Sequence, residues 1–208
     1  MILSTRHCFY AFFLALGGIL LSQPAGAQKL RETKYEKGFL TKGQKTGTWE
    51  YYGYTPSGEK VVLQRYDYDG RRLLYFRPGP DVLCHAEVSP GKWSYVRPDQ
   101  PPLFIGSDAA LAEFTRQLNY PEAAQARNIQ GKVVVAFQID TLGHLSNYHL
   151  VQRIGGGCDE EALRVARTVP EQWVPARLGR RAVAVEYELP LNFRLAQPER
   201  SGSRMLAP

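Results

Sequence analysis

The residues of this chain best suited to chemistry offer backbone hydrogen bonds rather than catalytic side chains. From Ala182 to Leu195, apolar and polar residues alternate, a pattern that predicts a β-strand with one buried face and one solvated face. Pro190 lies inside this strand and has no N–H to donate to a neighbouring strand, so one side should lack a partner there. We predict an edge strand whose free backbone groups can pair with an extended segment of another protein.

Side chains that could catalyse a reaction are scattered. Asp159 to Glu161 form a carboxylate cluster, but acidic residues are favoured in the first turn of a helix without any catalytic role. The histidines are far apart in the sequence, at positions His7, His85, His144 and His149. No CxxC pair, metal-ligand spacing, catalytic triad or phosphate-binding loop is present. We therefore predict no enzymatic activity, no cofactor and no metal site.

The N-terminus has the features of an export signal. A basic start precedes an apolar run from Phe9 to Leu21, and small residues follow at Ala25 and Ala27. This order is typical of a Sec-type signal peptide, predicted here for residues 1–27, and it places the mature protein in the periplasm. Since a membrane span needs about 20 apolar residues, retention as an inner-membrane anchor is the alternative.

Two cysteines, Cys84 and Cys158, remain after removal of the signal peptide. The periplasm is an oxidising compartment in which disulfides form and persist. The two residues are therefore a candidate disulfide. Two separate buried thiols are the alternative, because a bridge requires Cα atoms within about 7 Å and the sequence does not specify that distance.

Residues 28–97 carry a repeated aromatic pattern, in which Gly47-Thr-Trp-Glu-Tyr51 recurs as Gly91-Lys-Trp-Ser-Tyr95. Together with the hairpin signal Asp69-Gly70, this predicts a small all-β meander. The pattern resembles the MORN-like repeats of bacterial envelope proteins, which implies a protein- or glycan-binding sheet or aromatic pairs that only hold the sheet together. The formal net charge of +6 is concentrated in this module, but no nucleic-acid-binding module is recognisable, so we predict no nucleic acid partner.

The second half of the chain predicts a separate α+β domain. Prolines mark a linker at residues 98–106, the domain follows at 107–196, and a flexible tail is expected at 197–208. The predicted elements are a helix from Ser107, a short helix from Pro121, strands from Lys132 and Leu145, a helix from Cys158 to Val169 and the strand Ala182–Leu195. This order predicts a three-stranded antiparallel sheet with helices on one face.

The second half resembles the C-terminal domain of TonB, the energy transducer of Gram-negative envelopes. The resemblance rests on an ordered set of motifs rather than on any single one. The motifs are Tyr120-Pro-x-x-Ala124, Gly131-x-Val-x-Val-x-Phe137, Asp140-x-x-Gly143, Asp159-Glu-Glu-Ala162, Trp173-x-Pro175 and Pro190-x-x-Phe193.

The resemblance implies a partner and a site. Members of this family bind the TonB box, a short peptide of TonB-dependent outer-membrane receptors, by β-augmentation against their last strand. Carried over to this chain, the partner-binding residues are Ala184, Val185, Glu186, Tyr187, Glu188 and Leu189 on the strand, with Gln125 and the adjacent Arg127. A homodimer is a further candidate assembly.

Two features differ from a TonB transducer, which keeps a membrane anchor and spans the periplasm with a long linker. This chain has a cleavable-looking signal and a short proline linker before residue 107. We therefore predict a periplasmic TonB-like protein that binds receptors by strand addition in transmembrane transport. The alternatives are an anchored energy transducer, which would also contact inner-membrane motor proteins, and a non-catalytic envelope scaffold.

Overall fold

The computed structural model describes residues 28–79 and 81–195. The predicted signal peptide, residues 1–27, and the predicted tail, residues 197–208, lie outside the described residues. None of the helices in the described part of the chain has the length and hydrophobicity that a membrane crossing requires.

Most described residues belong to antiparallel strands, with a few short helices between them. The first half contains β1 (Gln28–Glu32), β2 (Glu36–Thr41), β3 (Gln44–Tyr54), β4 (Lys60–Asp67), β5 (Arg72–Phe76), β6 (Cys84–Ser89) and β7 (Lys92–Val96). The second half contains β8 (Leu103–Phe104), α1 (Ser107–Thr115), α2 (Glu122–Ala126), β9 (Gly131–Ile139), β10 (Leu145–Gln152), α3 (Cys158–Ala166), β11 (Trp173–Val174), β12 (Ala176–Leu178), β13 (Arg181–Val183) and β14 (Val185–Phe193). The predicted α+β class is confirmed.

The N-terminal sheet is a meander with the strand order β1-β2-β3-β4-β5. Its inner face is aromatic, because Trp49 is fully buried and the hydroxyls of Tyr51 and Tyr68 lie 2.6 Å apart. The ammonium of Lys45 lies 4.1 Å from the centre of the Trp49 ring and donates to Glu36 at 2.6 Å. Burial lowers the pKa of Lys45, and the hydrogen bond to Glu36 opposes that shift. These contacts stabilise a sheet whose strands are otherwise largely exposed.

The C-terminal sheet has five strands in the described chain, in the order β10-β9-β14-β6-β7. The predicted three-stranded sheet is therefore wrong in its extent, because the hairpin β6–β7 joins it. The predicted domain boundary at residues 97 and 98 stays a prediction, but it does not coincide with the boundary between the two sheets, since β6 and β7 belong to the C-terminal sheet. Cys84 and Ala86 on β6 are buried in the same core as β9 and β14, and this burial favours the pairing.

The predicted repeat is divided between the two sheets. Trp49 lies on β3 in the first sheet and is fully buried, whereas Tyr95 lies on β7 in the second sheet and is 69% exposed. The MORN-like module is therefore not confirmed. Similar local sequences form hairpins in both sheets, but the residues around each hairpin determine which sheet it joins.

The core of the C-terminal domain lies between its sheet and the helices α1 and α3. Every second residue of β14 enters this core, and Val185, Leu189, Leu191 and Phe193 are almost completely buried. The predicted bulge near Ser146 and Asn147 is confirmed, because the β9–β10 register shifts after Ser146. The last strand therefore has the predicted buried face, and the fold positions it in the middle of the sheet.

One buried side chain joins the N-terminal sheet to β8 and the residues before α1. The amide Nε2 of Gln64 on β4 donates to the C=O of Phe104 at 2.9 Å, and its Oε1 accepts from the N–H of Gly106 at 3.1 Å. Gln64 is only 5% exposed, so water cannot readily replace either bond. This residue therefore fixes the N-terminal sheet against the segment that leads into α1.

Replacing Gln64 with methionine is expected to destabilise the protein. The substitution keeps the length of the side chain but leaves one C=O and one N–H without a partner, at a cost of about 1–3 kcal/mol for each group. Urea unfolding of Gln64→Met measures the loss. The control is Gln44→Met at an exposed position of β3; equal stability of the two variants would contradict the bridging role.

Candidate functional site

Strand β14 has one fully paired flank and one flank that is paired only at its beginning. Along the first flank it pairs with β9 from Val185 opposite Ile139 to Phe193 opposite Gly131. On the second flank β6 pairs only with Val185 and Glu186. From Tyr187 to Phe193, no residue of the ranges 28–79 and 81–195 pairs with this second flank, which we call the open flank.

The direction of the backbone groups on the open flank follows from one hydrogen bond. The N–H of Glu87 on β6 donates to the C=O of Ala184 at 2.9 Å, so the backbone of Ala184 faces β6. Since the hydrogen-bonding side of an antiparallel strand alternates with each residue, Glu186, Glu188, Pro190 and Asn192 face the same side. The open flank therefore offers the N–H groups of Glu188 and Asn192 and the carbonyls of Glu188, Pro190 and Asn192.

Pro190 faces the open flank, which explains how a proline is tolerated inside β14. Its missing N–H falls on the side away from β9, so the register with β9 continues through Pro190 opposite Val134. The prediction that Pro190 leaves one side of the strand without a partner agrees with this arrangement. A guest strand could donate a hydrogen bond to the carbonyl of Pro190, but it would find no N–H at this position from which to accept one.

The predicted edge is wrong at its first residues. Ala184 accepts a hydrogen bond from Glu87, and Val185 and Glu186 lie opposite Ala86 and His85. Val185 and Glu186 are therefore already paired on both sides, and the carbonyl of Ala184 is bonded to β6. These residues are paired because the hairpin β6–β7, which the sequence analysis predicted to be part of the N-terminal module, lies beside them.

The other predicted strand residues lie beyond the end of β6. Tyr187, Glu188 and Leu189 are on the open part of β14, although the backbone groups of Tyr187 and Leu189 point towards β9. The residues that sequence reasoning missed are Pro190 and Asn192. The alternation of polar residues in the sequence includes both positions, but only the β6 register shows which flank they face.

The structure places Gln125 and Arg127 near the far end of β14 and bonds both to their own segment. Gln125 Nε2 donates to the C=O of Tyr120 at 2.9 Å, and Arg127 Nε donates to the C=O of Ala123 at 3.1 Å. The ring of Tyr120 packs edge-on against Phe193 with 5.7 Å between ring centres. Both predicted residues are exposed, and their role in binding stays a prediction.

A groove lies at the point where β6 leaves β14, and we call it the fork groove. It has a volume of about 580 Å³ and is lined by residues 82–85, 101–103 and 186–188, with Arg77, Tyr95 and Asp108 among the others. Tyr187 is a half-buried residue of β14 that lines the groove. Its pKa is raised to about 12, first by burial and then by the nearby carboxylate of Asp108.

The carboxylate of Glu186 lies between two histidines on the solvated face of the sheet. His85 Nδ1 is 3.8 Å from Oε1, and His149 Nε2 is 3.9 Å from Oε2. His149 on β10 approaches Glu186 diagonally across β9, where Ala136 lies opposite His149 and Gln138 lies opposite Glu186. The ring of His85 also stacks on Tyr95 with 4.9 Å between centres. Glu186 thus lies near side chains of both β6 and β10 on this face.

The structure contains Cys84 and Cys158 as free, buried thiols. The candidate disulfide is therefore not formed in it. Cys84 opens β6 and lines the fork groove, whereas Cys158 begins α3. Burial raises the pKa of both thiols, and in Cys158 the carboxylate of Asp159 adds to the shift. A raised pKa disfavours the thiolate, which is the form that reacts with oxidants.

The described chain is thus an α+β protein with a strand that is open along part of one flank. Residues 116–195 match the family model for the Gram-negative bacterial TonB protein C-terminal, which supports this family for that part of the chain. The matched part includes β9, β10, α3 and β14, and does not include the N-terminal sheet or the hairpin β6–β7. No curated protein and no solved structure matches the chain.

The family match carries general functional information. The family is a non-enzymatic domain associated with transport, and it implies interaction with TonB-dependent receptors in general. The matched domain suggests a TonB-like role in receptor interaction and transport. The match begins directly after α1 ends, so α1 and the strands before it lie outside the matched residues.

Proposed function

We propose that this protein is a periplasmic TonB-like protein, exported by its N-terminal signal, that binds TonB-dependent outer-membrane receptors by strand addition. The receptor contributes a short extended peptide, the TonB box, which pairs with the open flank of β14. The observation that carries the proposal is that β14 is unpaired on this flank from Tyr187 to Phe193 within the described residues. The match of residues 116–195 to the TonB C-terminal family supports the choice of receptor.

The proposed contact depends on backbone groups of two kinds. Glu188 and Asn192 each offer an N–H and a carbonyl, while Pro190 offers a carbonyl only. In strand addition these groups supply affinity, and side-chain pockets supply specificity. Strand addition of this kind uses backbone hydrogen bonds and requires no metal and no cofactor.

The test is a proline at an outward-facing position. In Glu188→Pro the N–H that faces the guest is lost and the ring projects towards the guest strand, while the ladder to β9 is preserved, as it is at Pro190. We expect affinity for synthetic peptides from the plug segments of TonB-dependent receptors to fall at least about tenfold, or about 1.4 kcal/mol. Isothermal titration calorimetry measures the change.

The matched control is Glu188→Ala, which removes the same side chain but keeps the N–H. It should bind these peptides clearly more tightly than Glu188→Pro does, because it loses only the side chain and keeps the backbone hydrogen bond, and both variants should have nearly normal melting temperatures. Proline at Val185 or Tyr187 is less informative because their N–H groups point towards β9, so the substitution disrupts the fold. Equal binding by Glu188→Pro and Glu188→Ala would refute strand addition on this flank.

A further inference from the structure

The fork groove contacts the part of β14 at which a guest strand must stop. Strand β6 pairs with Val185 and Glu186, and the chain at residues 81–83 then leaves the direction of β14. A guest on the open flank can therefore extend towards β6 only as far as Tyr187. The end of the guest nearest β6 meets the fork groove, which occupies the gap between the two strands.

The mouth of the groove is apolar and exposed. Val82 is 51% exposed, Leu83 is 53% exposed and Tyr95 is 69% exposed. All three line the same groove, which continues inwards to Pro101 and Leu103. Clustered exposed apolar side chains around a concave site are typical of a surface that another molecule covers.

The rim of the groove is acidic. Asp108, Glu186 and Glu188 line it, and Arg77 is its one arginine among the described residues. Within the described ranges, the carboxylates of Asp108 and Glu188 form no salt bridge, whereas Glu186 lies beside His85 and His149. The excess of carboxylates favours a cationic residue on a guest that enters the groove.

We propose that the fork groove selects the guest by its residues nearest β6. The preferred guest is an extended peptide that places a bulky apolar side chain in the groove and carries a lysine or arginine next to it. The hairpin β6–β7, which lies outside the family match, thus acts as a stop and as one wall of a specificity pocket. This inference rests on the proposed strand addition and adds the chemistry of the partner.

The geometry also limits the length of the paired segment. The open flank runs from Tyr187 to Phe193, so about seven residues of a guest can lie along it at about 3.3 Å per residue. The apolar anchor lies at one end of these residues and not in their middle. The guest therefore contributes pairing along β14 and one anchored side chain at the fork.

Selection from a phage-displayed library of random nine-residue peptides tests the inference, and it does not require the receptor to be identified first. The target is the full mature chain. We expect the enriched peptides to share a bulky apolar residue adjacent to lysine or arginine. Burial of one such side chain corresponds to about a tenfold gain in affinity or more, so Leu83→Ser should weaken binding of these peptides about tenfold.

Two controls make the result specific. Leu142→Ser changes another leucine, 74% exposed and on the β9–β10 turn away from the fork groove, and it should leave binding unchanged. Replacing the apolar anchor of the peptide with serine should remove the effect of Leu83→Ser, because the two residues then no longer contact each other. Asp108→Asn should weaken only peptides that carry the basic residue, and the difference should decrease at high salt.

The outcomes separate this inference from the proposed function. Binding that is lost in Glu188→Pro but unchanged in Leu83→Ser overturns the specificity pocket and leaves strand addition intact. Binding that is unchanged in Glu188→Pro overturns both, as does a selection that enriches no peptide. Enriched peptides without an apolar anchor, or with acidic residues beside it, overturn the specificity pocket alone.

Discussion

Replacing Phe137 with alanine is expected to lower the free energy of unfolding by about 3–5 kcal/mol, as for other large aromatic side chains removed from a core. Phe137 lies on β9 and is fully buried. Its ring contacts those of Tyr148, Trp173 and Tyr187, with 5.3, 5.8 and 5.5 Å between ring centres. The cavity would therefore open between three elements that cannot all move into it.

The matched control for this substitution is Phe39→Ala on β2. Phe39 is 45% exposed, so its removal should cost less than about 1 kcal/mol. Urea unfolding followed by tryptophan fluorescence compares the two variants. A difference of less than about 1.5 kcal/mol would mean that Phe137 is not at the centre of the core. Because Tyr187 forms part of the fork groove, Phe137→Ala should also weaken the binding of anchored peptides.

Replacing Gly143 with alanine is expected to destabilise the protein by about 2–5 kcal/mol, for two reasons that add. Gly143 has a φ of +91°, where an L-residue costs about 1–2 kcal/mol. In addition, a Cβ at this position would lie 2.3 Å from the carbonyl oxygen of Trp173. Trp173 is 5% exposed and pairs with Phe104, so its backbone cannot easily move away. Such overpacking typically costs about 1–3 kcal/mol.

Gly155→Ala separates the two causes. Gly155 has a φ of +75°, but a Cβ there would have no atom within 4 Å. The variant therefore has the unfavourable backbone conformation but no steric clash. Its free energy of unfolding should fall by about 1–2 kcal/mol. Thermal unfolding of both variants measures the difference. Equal melting temperatures would show that the β9–β10 turn can move away from Trp173.

The substitutions Phe137→Ala and Gly143→Ala both affect residues that pack behind β14. Phe137 packs against Tyr187 from the neighbouring strand, and Gly143 allows the β9–β10 turn to contact Trp173, whose ring lies 4.8 Å from that of Tyr187. An edge that accepts a guest must keep its backbone groups in position before binding, because ordering them on binding would cost affinity. The core behind β14 therefore contributes to recognition without touching the guest.

Local sequence patterns determined much of the C-terminal domain. The alternation in residues 182–195 specified a half-buried strand, and Pro190 specified that one side of it lacks a partner. The break in the alternation near Ser146 specified the bulge on β10. Each of these features depends on residues close together in the chain. Successive side chains of a strand point to opposite faces of the sheet, and a proline has no backbone N–H in any fold.

Only the tertiary structure decided which part of β14 is open. The hairpin β6–β7 carries the same Gly-x-Trp-x-Tyr pattern as β3, yet it pairs with β14 and covers Val185 and Glu186. A hairpin pattern specifies its own two strands but not the strand that its outer flank will meet. That choice depends on burial of Cys84 and Ala86 in a core formed largely by residues much later in the chain. The sequence alone therefore determined that a strand edge exists, whereas long-range packing decided that it runs from Tyr187 to Phe193.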